Sequence, residues 1–313
     1  MYAKSHICVK ILYFIPVIFV YLIVYTVVYT FTNYFVLDFK SPTYLSRKWI
    51  KLFLSIFFYL TAGMTVFCQT IAMVTHPGKI NPARIKNKSK QISLKDNKVI
   101  FCKKCEKERP ERSHHCSTCK QCVLKMDHHC PWIANCVGYN NQKAFYLFLF
   151  YATVGDLIAF ICLLEKIIYD PSFIRMFFFP SRRVNLEGKY MIFEVLYVVK
   201  DPLLIIVGMI LSCAMTLAIG ILFTYQSYLM RYNMTSIESS MYSEKSKNPY
   251  YFKSIIISFK SVLGMNIGYE WFLPGFKPNT YNDGYNYKHS LMENKNDFRE
   301  ISNNEEDDKN YSD

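Results

Sequence analysis

The residues able to do chemistry are concentrated in one stretch. Seven of the chain's eleven cysteines and four of its seven histidines lie between Cys102 and Phe145. The cysteines follow the spacing C-x2-C-x10-C-x2-C-x2-C-x7-C-x5-C, and the histidines form two adjacent pairs, His114-His115 and His128-His129. Thiolate and imidazole are the usual zinc ligands, and a closed structural site takes four of them in a tetrahedron. Two such sites use eight ligands, and this stretch offers eleven. At least one cysteine can therefore be left without metal. Cys130 is singled out because Asp127, His128 and His129 precede it directly, placing an acid, an imidazole and a thiol within four residues. A thiol with its free pKa of about 8.5 is a weak nucleophile, and an imidazole held by a carboxylate can activate it. Spacing alone leaves the alternative open: every one of these residues could be a ligand or a structural polar group.

The elements that must position this stretch are apolar. The 313 residues are 51% hydrophobic and 17% aromatic, arranged as long uncharged runs between charged segments. A bilayer core of about 30 Å takes roughly 20 apolar residues in a helix. Four segments qualify: 11–37, 52–75, 144–164 and 203–230, of which only the third carries an acid, Asp156. The first run is too long for the apolar core of a secretory signal, which spans about 7–15 residues, so it is expected to remain as a span. The expected fold is an α-helical integral membrane protein with four transmembrane helices and a loop-rich cysteine-rich domain. Residues 1–10 form a basic lead, 38–51 and 165–202 loops on one side, and 76–143 a linker and cysteine-rich region with its core at 102–145. Residues 231–276 form a further region, and 277–313 a polar tail expected to be disordered. Within the second loop, Lys189 to Val199 is aromatic and apolar and reads as an interfacial helix.

Orientation follows from the bias of Lys and Arg toward the cytosolic face. Residues 38–51 carry four basic residues, whereas 76–143 hold fifteen against five acidic ones. The cysteine-rich region and both termini are therefore expected in the cytosol, with 38–51 and 165–202 lumenal, in an endomembrane such as the ER or Golgi. Cytosolic thiols are kept reduced, which favours metal binding or catalysis over disulfides. The net charge of +13 could serve nucleic acid, but a module tethered between two spans more plausibly meets anionic headgroups or a phosphorylated ligand. No nucleic-acid partner is expected.

The stretch resembles the cysteine-rich domain of the DHHC protein S-acyltransferases (palmitoyltransferases). That family's pattern is matched by Cys102, Cys105, Arg109, Pro110, Arg112, His115, Cys116, Cys119, Cys122, Asp127, His128, His129, Cys130, Trp132, Asn135, Cys136, Val137, Gly138, Asn141 and Phe145. The resemblance implies two interleaved zinc sites, one of Cys102, Cys105, His115 and Cys122, the other of Cys116, Cys119, His129 and Cys136, with Cys130 left over. It also implies a two-step reaction. Cys130 takes a long-chain acyl group such as palmitoyl from acyl-CoA, assisted by His128 as base and Asp127 as its orienting acid, and passes it to a cysteine of a membrane-associated protein substrate. A thiol placed directly before the third span lets the acyl tail lie in membrane, which avoids about 0.8 kcal/mol per CH₂ exposed to water.

Further residues are assigned expectations on this basis. Arg109 and Arg112 are candidates for the acyl-CoA phosphates, or alternatively for pairing with Glu106, Glu108 or Glu111. Trp132 and Gly155 are candidates for the acyl-chain path, and for Gly155 close helix packing is the competing reading. Asp156, an acid inside a span, points to an interior or interfacial role. Thr235, Ser236 and Glu238 are similar to the family's Thr-Thr-x-Glu motif, with Ser236 in place of the second Thr. His76 stands where an Asp-Pro-Gly turn usually begins. Asn248-Pro249-Tyr250 and Val262-Leu263-Gly264 are similar to the C-terminal motif, whose internal Asn is missing, Ser258 being nearest. Phe252, Ile255, Ile256, Phe259 and Leu263 recur at helical spacing and predict an amphipathic helix.

Overall fold

The computed structural model describes residues 2–37, 45, 47–83, 85, 100–169, 191–242, 248–274, 284, 285 and 287. The loop over 38–44, the Lys-rich linker beyond residue 85, the segment 170–190 and most of the expected tail lie outside them.

Four helices carry the membrane signature: α1 (Tyr2–Phe31, continuing as one π-helical turn over Thr32–Val36), α2 (Lys48–Val74), α3 (Gln142–Tyr169) and α4 (Met191–Arg231). Their apolar windows cover Phe14–Val36, Lys48–Val74, Gln142–Tyr169 and Pro202–Arg231, each long enough to cross a bilayer. Large apolar side chains such as Phe53, Leu60, Leu217 and Ile221 are exposed on the outside of the bundle. In water such a band would be a liability; against lipid it costs nothing. The start of α4 corrects the expectation for the second loop. Residues 191–199, read there as a separate interfacial helix, belong to the same continuous helix as the fourth span.

Helix α3 is the centre of the bundle and packs most extensively against α2 and α4. It turns Ala144, Phe145, Leu149, Ala152 and Ala159 into the interior. Small residues set the closest approaches: a Cβ on Gly155 would come within 3.1 Å of Thr61 Oγ1 on α2. Packing, the competing reading for Gly155, is therefore present in the fold.

Between α2 and α3 lie six three-residue strands paired as three antiparallel hairpins: β1–β2 (Ile100–Cys102, Lys107–Arg109), β3–β4 (His114–Cys116, Gln121–Val123) and β5–β6 (His128–Cys130, Asn135–Val137). Strands this short have almost no face to bury, so something other than a sheet core must hold them. Part of the answer is the end of α2, whose last carbonyls have no partner inside the helix. The Asn135 amide donates to the carbonyls of Ala72, Met73 and Thr75 at 3.2, 3.1 and 2.9 Å. The Asn141 amide donates to Ala72 and Cys136 at 3.0 and 2.8 Å, and its oxygen accepts from Gly138 N–H. In the turn leaving α2, the Gly78 N–H donates to His76 Nδ1 at 3.2 Å. The imidazole nitrogen thereby serves as the acceptor for this turn's N–H.

Beyond α4 lie α5 (Ser236–Met241) and α6 (Ile255–Leu263). The amphipathic expectation meets a helix whose buried face is Ser258, Ser261, Val262 and Leu263, while Ile255 and Ile256 face outward. Ser258, at the place of the missing Asn, is fully buried and donates to Ser254 O. The expectation of an unstructured tail is corrected at three positions. Gly284 lies against Tyr139, the Tyr285 hydroxyl accepts from Asn81 N–H at 2.6 Å, and Tyr287 is buried over Arg112. Composition hid them because two anchoring aromatics were averaged with a long polar surround.

Asn141→Leu fills the same space but strands the Ala72 and Cys136 carbonyls. It should destabilise the protein by about 2 kcal/mol, seen as a lower unfolding temperature in detergent.

Candidate active site and metal centres

The three hairpins are one unit repeated. Cys102, Cys116 and Cys130 are spaced fourteen residues apart and occupy the same last position of β1, β3 and β5. In the first two hairpins the turn carries a second cysteine, Cys105 or Cys119, and the residue after it, Glu106 or Lys120, sits in the left-handed region at φ 51° or 54°. Each such knuckle presents two sulfurs. The remaining two ligands come from the next hairpin, where His115 is register-paired with Cys122 and His129 with Cys136.

The two resulting groups are Cys102, Cys105, His115, Cys122 and Cys116, Cys119, His129, Cys136, with all ligand atoms of each within 4.8 Å of one another. In the first, the sulfurs lie 3.7, 3.1 and 3.9 Å from His115 Nδ1. In the second, they lie 3.7, 3.4 and 3.5 Å from His129 Nδ1. A tetrahedral Zn²⁺ with Zn–S near 2.3 Å and Zn–N near 2.0 Å separates its ligand atoms by roughly 3.5–3.8 Å. Donor set and spacing both fit such an ion.

The third hairpin starts the pattern and does not finish it. Cys130 stands where a first knuckle cysteine would be, but Ile133, fully buried, replaces the second, and no fourth hairpin follows. Its turn runs through Pro131–Ile133 as a 3₁₀ turn closed by Ala134 at φ 46°. Cys130 therefore belongs to neither metal group. The signal was legible as an internal repeat, which the spacing count passed over.

Strand alternation then separates the roles within β5. Successive side chains point to opposite faces, so His129 turns toward the metal group while His128 and Cys130 share the other face. His128 Nδ1 donates to Asp127 Oδ2 at 2.6 Å, and the Cys130 thiol is its other hydrogen-bonding neighbour. Burial alone would lower the imidazole's pKa, but its bonds to Asp127 and Cys130 outweigh that and lift it to about 9. The ring edge packs on Phe145 of α3, centroids 5.3 Å apart.

Asp127 is buried and saturated with donors. Besides His128, it accepts from Ser236 N–H and Oγ at 2.7 and 2.9 Å and from Gln226 Nε2 at 3.1 Å. Burial would raise its pKa; the bonds from His128 and Ser236 outweigh it and hold the carboxyl below the usual range. The carboxylate is thus fixed as an anion that orients the imidazole. Gln226, on α4, is a residue that sequence reasoning missed. It lies in an uncharged span with no motif around it.

Ser236 is held by its own cap. Thr235 Oγ1 accepts from Glu238 N–H while Glu238 Oε2 accepts from Thr235 N–H, a capping box that starts α5. Glu238 is gripped in turn by Arg112, whose Nε and Nη2 donate to its two oxygens at 2.6 and 2.7 Å. Arg112 Nη2 also donates to Asn233 O, and the guanidinium lies against the rings of Tyr250 and Tyr287, 4.3 and 4.8 Å from their centroids, the two rings meeting edge-on at 5.7 Å. This corrects both expectations for Arg112. It is buried, so it does not face a soluble phosphate, and its acid is Glu238, not Glu106, Glu108 or Glu111. Glu111 instead accepts from the Tyr250 hydroxyl. Arg109 stays half-buried on β2 near His114, its Nη1 without a hydrogen-bond partner among the described residues.

Below Cys130 a cavity of about 290 Å³ runs into the bundle, lined by all four spans. Cys130, Trp132, Phe19 and Phe145 surround one end; Gly155, Asp156, Val28, Phe58 and Met215 surround the other. Its walls are almost wholly apolar. Trp132 is 45% exposed and meets Phe19 at 6.4 Å, while Cys130 is 3% exposed. Gly155 thus serves both readings, packing on Thr61 and lining this space.

Arg112→Met leaves Glu238 buried without its counter-charge. It should cost about 3–5 kcal/mol, whereas the double change with Glu238→Gln should recover part of that loss in thermal unfolding.

Comparison with known proteins agrees with this geometry. A family model described as DHHC palmitoyltransferase matches residues 95–243. The chain is 31% identical over 248 residues to a "Probable protein S-acyltransferase 15" of Arabidopsis thaliana, covering 75% of this chain and 88% of that one. It is 44% identical over 108 residues to "Palmitoyltransferase ZDHHC3" of Homo sapiens, covering 34% of this chain and 36% of the other. Over 54 residues it is 68% identical to "Palmitoyltransferase pfa3" of Emericella nidulans, covering 17% and 10%. The latter two matches each cover only a minor part of either chain.

Proposed function

The chain belongs to the DHHC palmitoyltransferase family, and from that membership we propose how this protein's own residues carry out S-acylation. The observation that carries the reading is a cysteine outside both metal groups, beside an imidazole fixed by a buried carboxylate, at one end of an apolar cavity within the spans. An acyl-CoA binds with its tail in the cavity, past Trp132 and toward Gly155. His128 takes the proton of the Cys130 thiol, and the thiolate attacks the thioester carbonyl. Collapse of the tetrahedral adduct breaks the bond to CoA sulfur, and His128 returns the proton to the departing CoA thiolate. Asp127, pinned by Ser236 and Gln226, stabilises the imidazolium between these transfers. In the second half, His128 deprotonates a cysteine of a protein substrate, that sulfur takes the acyl group, and the Cys130 thiol is regenerated. Each half exchanges one thioester for another, so no external energy source is needed.

Two zinc ions are read as structural. Held by the two Cys₃His groups, they supply folding free energy that three-residue strands cannot, and through His129 they fix the backbone that carries His128 and Cys130. The catalytic face lies in the cytosol with both chain termini, as the basic linker favours, in an endomembrane of the ER or Golgi. Arg109, half-buried on β2, is the remaining candidate for the CoA phosphates. The partners on this reading are palmitoyl-CoA or a similar acyl-CoA, membrane lipid and cysteine-containing membrane-associated proteins.

Cys130→Ser tests the nucleophile. Hydroxylamine-sensitive acyl label on the protein should vanish while bound zinc stays near two per chain; a fall to about one ion would make Cys130 a ligand. Cys102→Ser should instead lose metal and fold together. Ser236→Ala removes one of two bonds from that residue to Asp127 and should slow acyl-enzyme formation about tenfold, with Ser236→Thr restoring it.

A further inference from the structure

One feature of the cavity is not used by the reaction above. Asp156 projects into its far end from the middle of α3, and its carboxyl has no hydrogen-bond or ionic partner among the described residues. No basic residue lines the cavity. The other ionisable residues of this span differ: Glu165 and Lys166 lie near its end, and Glu165 accepts from Leu45 N–H at 2.9 Å. An acid inside a span is costly to keep and marks a site by default. Here the cost falls on whatever occupies the cavity. A saturated chain that reaches Asp156 removes its water and offers nothing in exchange, leaving a polar group unsatisfied.

The depth is that of a long chain's end. From Phe145, beside the catalytic imidazole, to Asp156 is eleven residues of α3, about 16 Å at 1.5 Å per residue. An extended chain advances roughly 1.2 Å per bond, so about thirteen bonds reach that level. All four helices agree in direction: Phe19 to Val28 on α1, Thr65 to Phe58 on α2, and Leu222 to Met215 on α4 line the same descent.

Resting on the reading of this cavity as the acyl site, we propose that Asp156 makes its far end a subsite for a hydroxyl at the terminus of the fatty chain. The substrate class this adds is the ω-hydroxyacyl thioester. The hydroxyl donates to the carboxylate, or exchanges hydrogen bonds with the neutral acid, and replaces the water that the chain displaces. Saturated chains of the same length are disfavoured by the same group, because a buried polar atom left unpaired discriminates strongly against the analogue lacking the hydroxyl.

The test compares two donors on purified full-length protein in detergent micelles: hexadecanoyl-CoA and hexadecanoyl-CoA bearing a terminal hydroxyl. Acyl-enzyme formation is followed by intact mass. The hydroxylated chain should load the wild-type protein about tenfold faster. Asp156→Leu should reverse the order, and Asp156→Asn, which keeps hydrogen-bonding capacity, should retain a reduced preference. Equal or faster loading of the saturated chain by the wild-type protein overturns the proposal; that ratio needs no variant to fold. Absence of loading from either donor and from decanoyl-CoA, whose chain stops short of Asp156, would overturn the acyl-enzyme reading itself. Loading from decanoyl-CoA without a hydroxyl preference sinks only the subsite.

Discussion

The alternation of side chains along three residues, His128, His129 and Cys130, is the constraint on which the molecule depends. In an extended strand neighbours face opposite ways. One imidazole can therefore join the metal group while the residues on either side turn toward the reaction. A helix at this point would fan the three around a cylinder, and a free loop would hold none of them. Pairing with Asn135–Val137 keeps the strand extended. Asn135 and Asn141 in turn tie that hairpin to the unpaired carbonyls at the end of α2. The zinc-type geometry, the placing of Cys130 beside His128 and the tie to the end of α2 are consequences of one backbone conformation.

The repeat explains why Cys130 stands outside both metal groups. Two hairpins supply complete knuckles, and the third supplies a cysteine without its companion because Ile133 occupies that place. A lone thiol cannot hold a metal ion, so Cys130 remains available. The surroundings that would have been ligands are instead His128 and the apolar cavity. The last copy of a metal-holding unit is left unfinished, and its thiol faces the cavity instead.

A second chain of contacts runs from the distant C-terminal region to the same site. Tyr250 and Tyr287 both pack on Arg112, Arg112 grips Glu238, and the capping box that Glu238 forms presents Ser236 to Asp127. Every link but the half-buried Ser236 is buried, so each polar group depends on its neighbour for satisfaction. This couples the hairpin module to the region after α4 by hydrogen bonds of fixed geometry. It also gives a physical reason for the hydroxyl at position 236: the backbone N–H reaches Oδ1, and the side chain adds a donor to Oδ2 beside His128 and Gln226.

Residue types and spacing by themselves determined the spans, the cysteine-rich module and the singling out of Cys130, since apolar run length and ligand count are local quantities. Family resemblance added the ligand sets and the reaction. Only the tertiary structure decided the partners of Arg112. A guanidinium chooses among all acids brought near it, and Glu238 lies far along the chain. The same holds for Gln226, which reaches Asp127 from a span with no motif, and for Tyr285 and Tyr287, which pack from a stretch whose composition reads as unstructured. The joining of residues 191–199 to the fourth span was hidden because an apolar helix looks alike whether it lies along a membrane or enters it. Periodicity reports which face is apolar; what that face meets is set by where the rest of the chain goes.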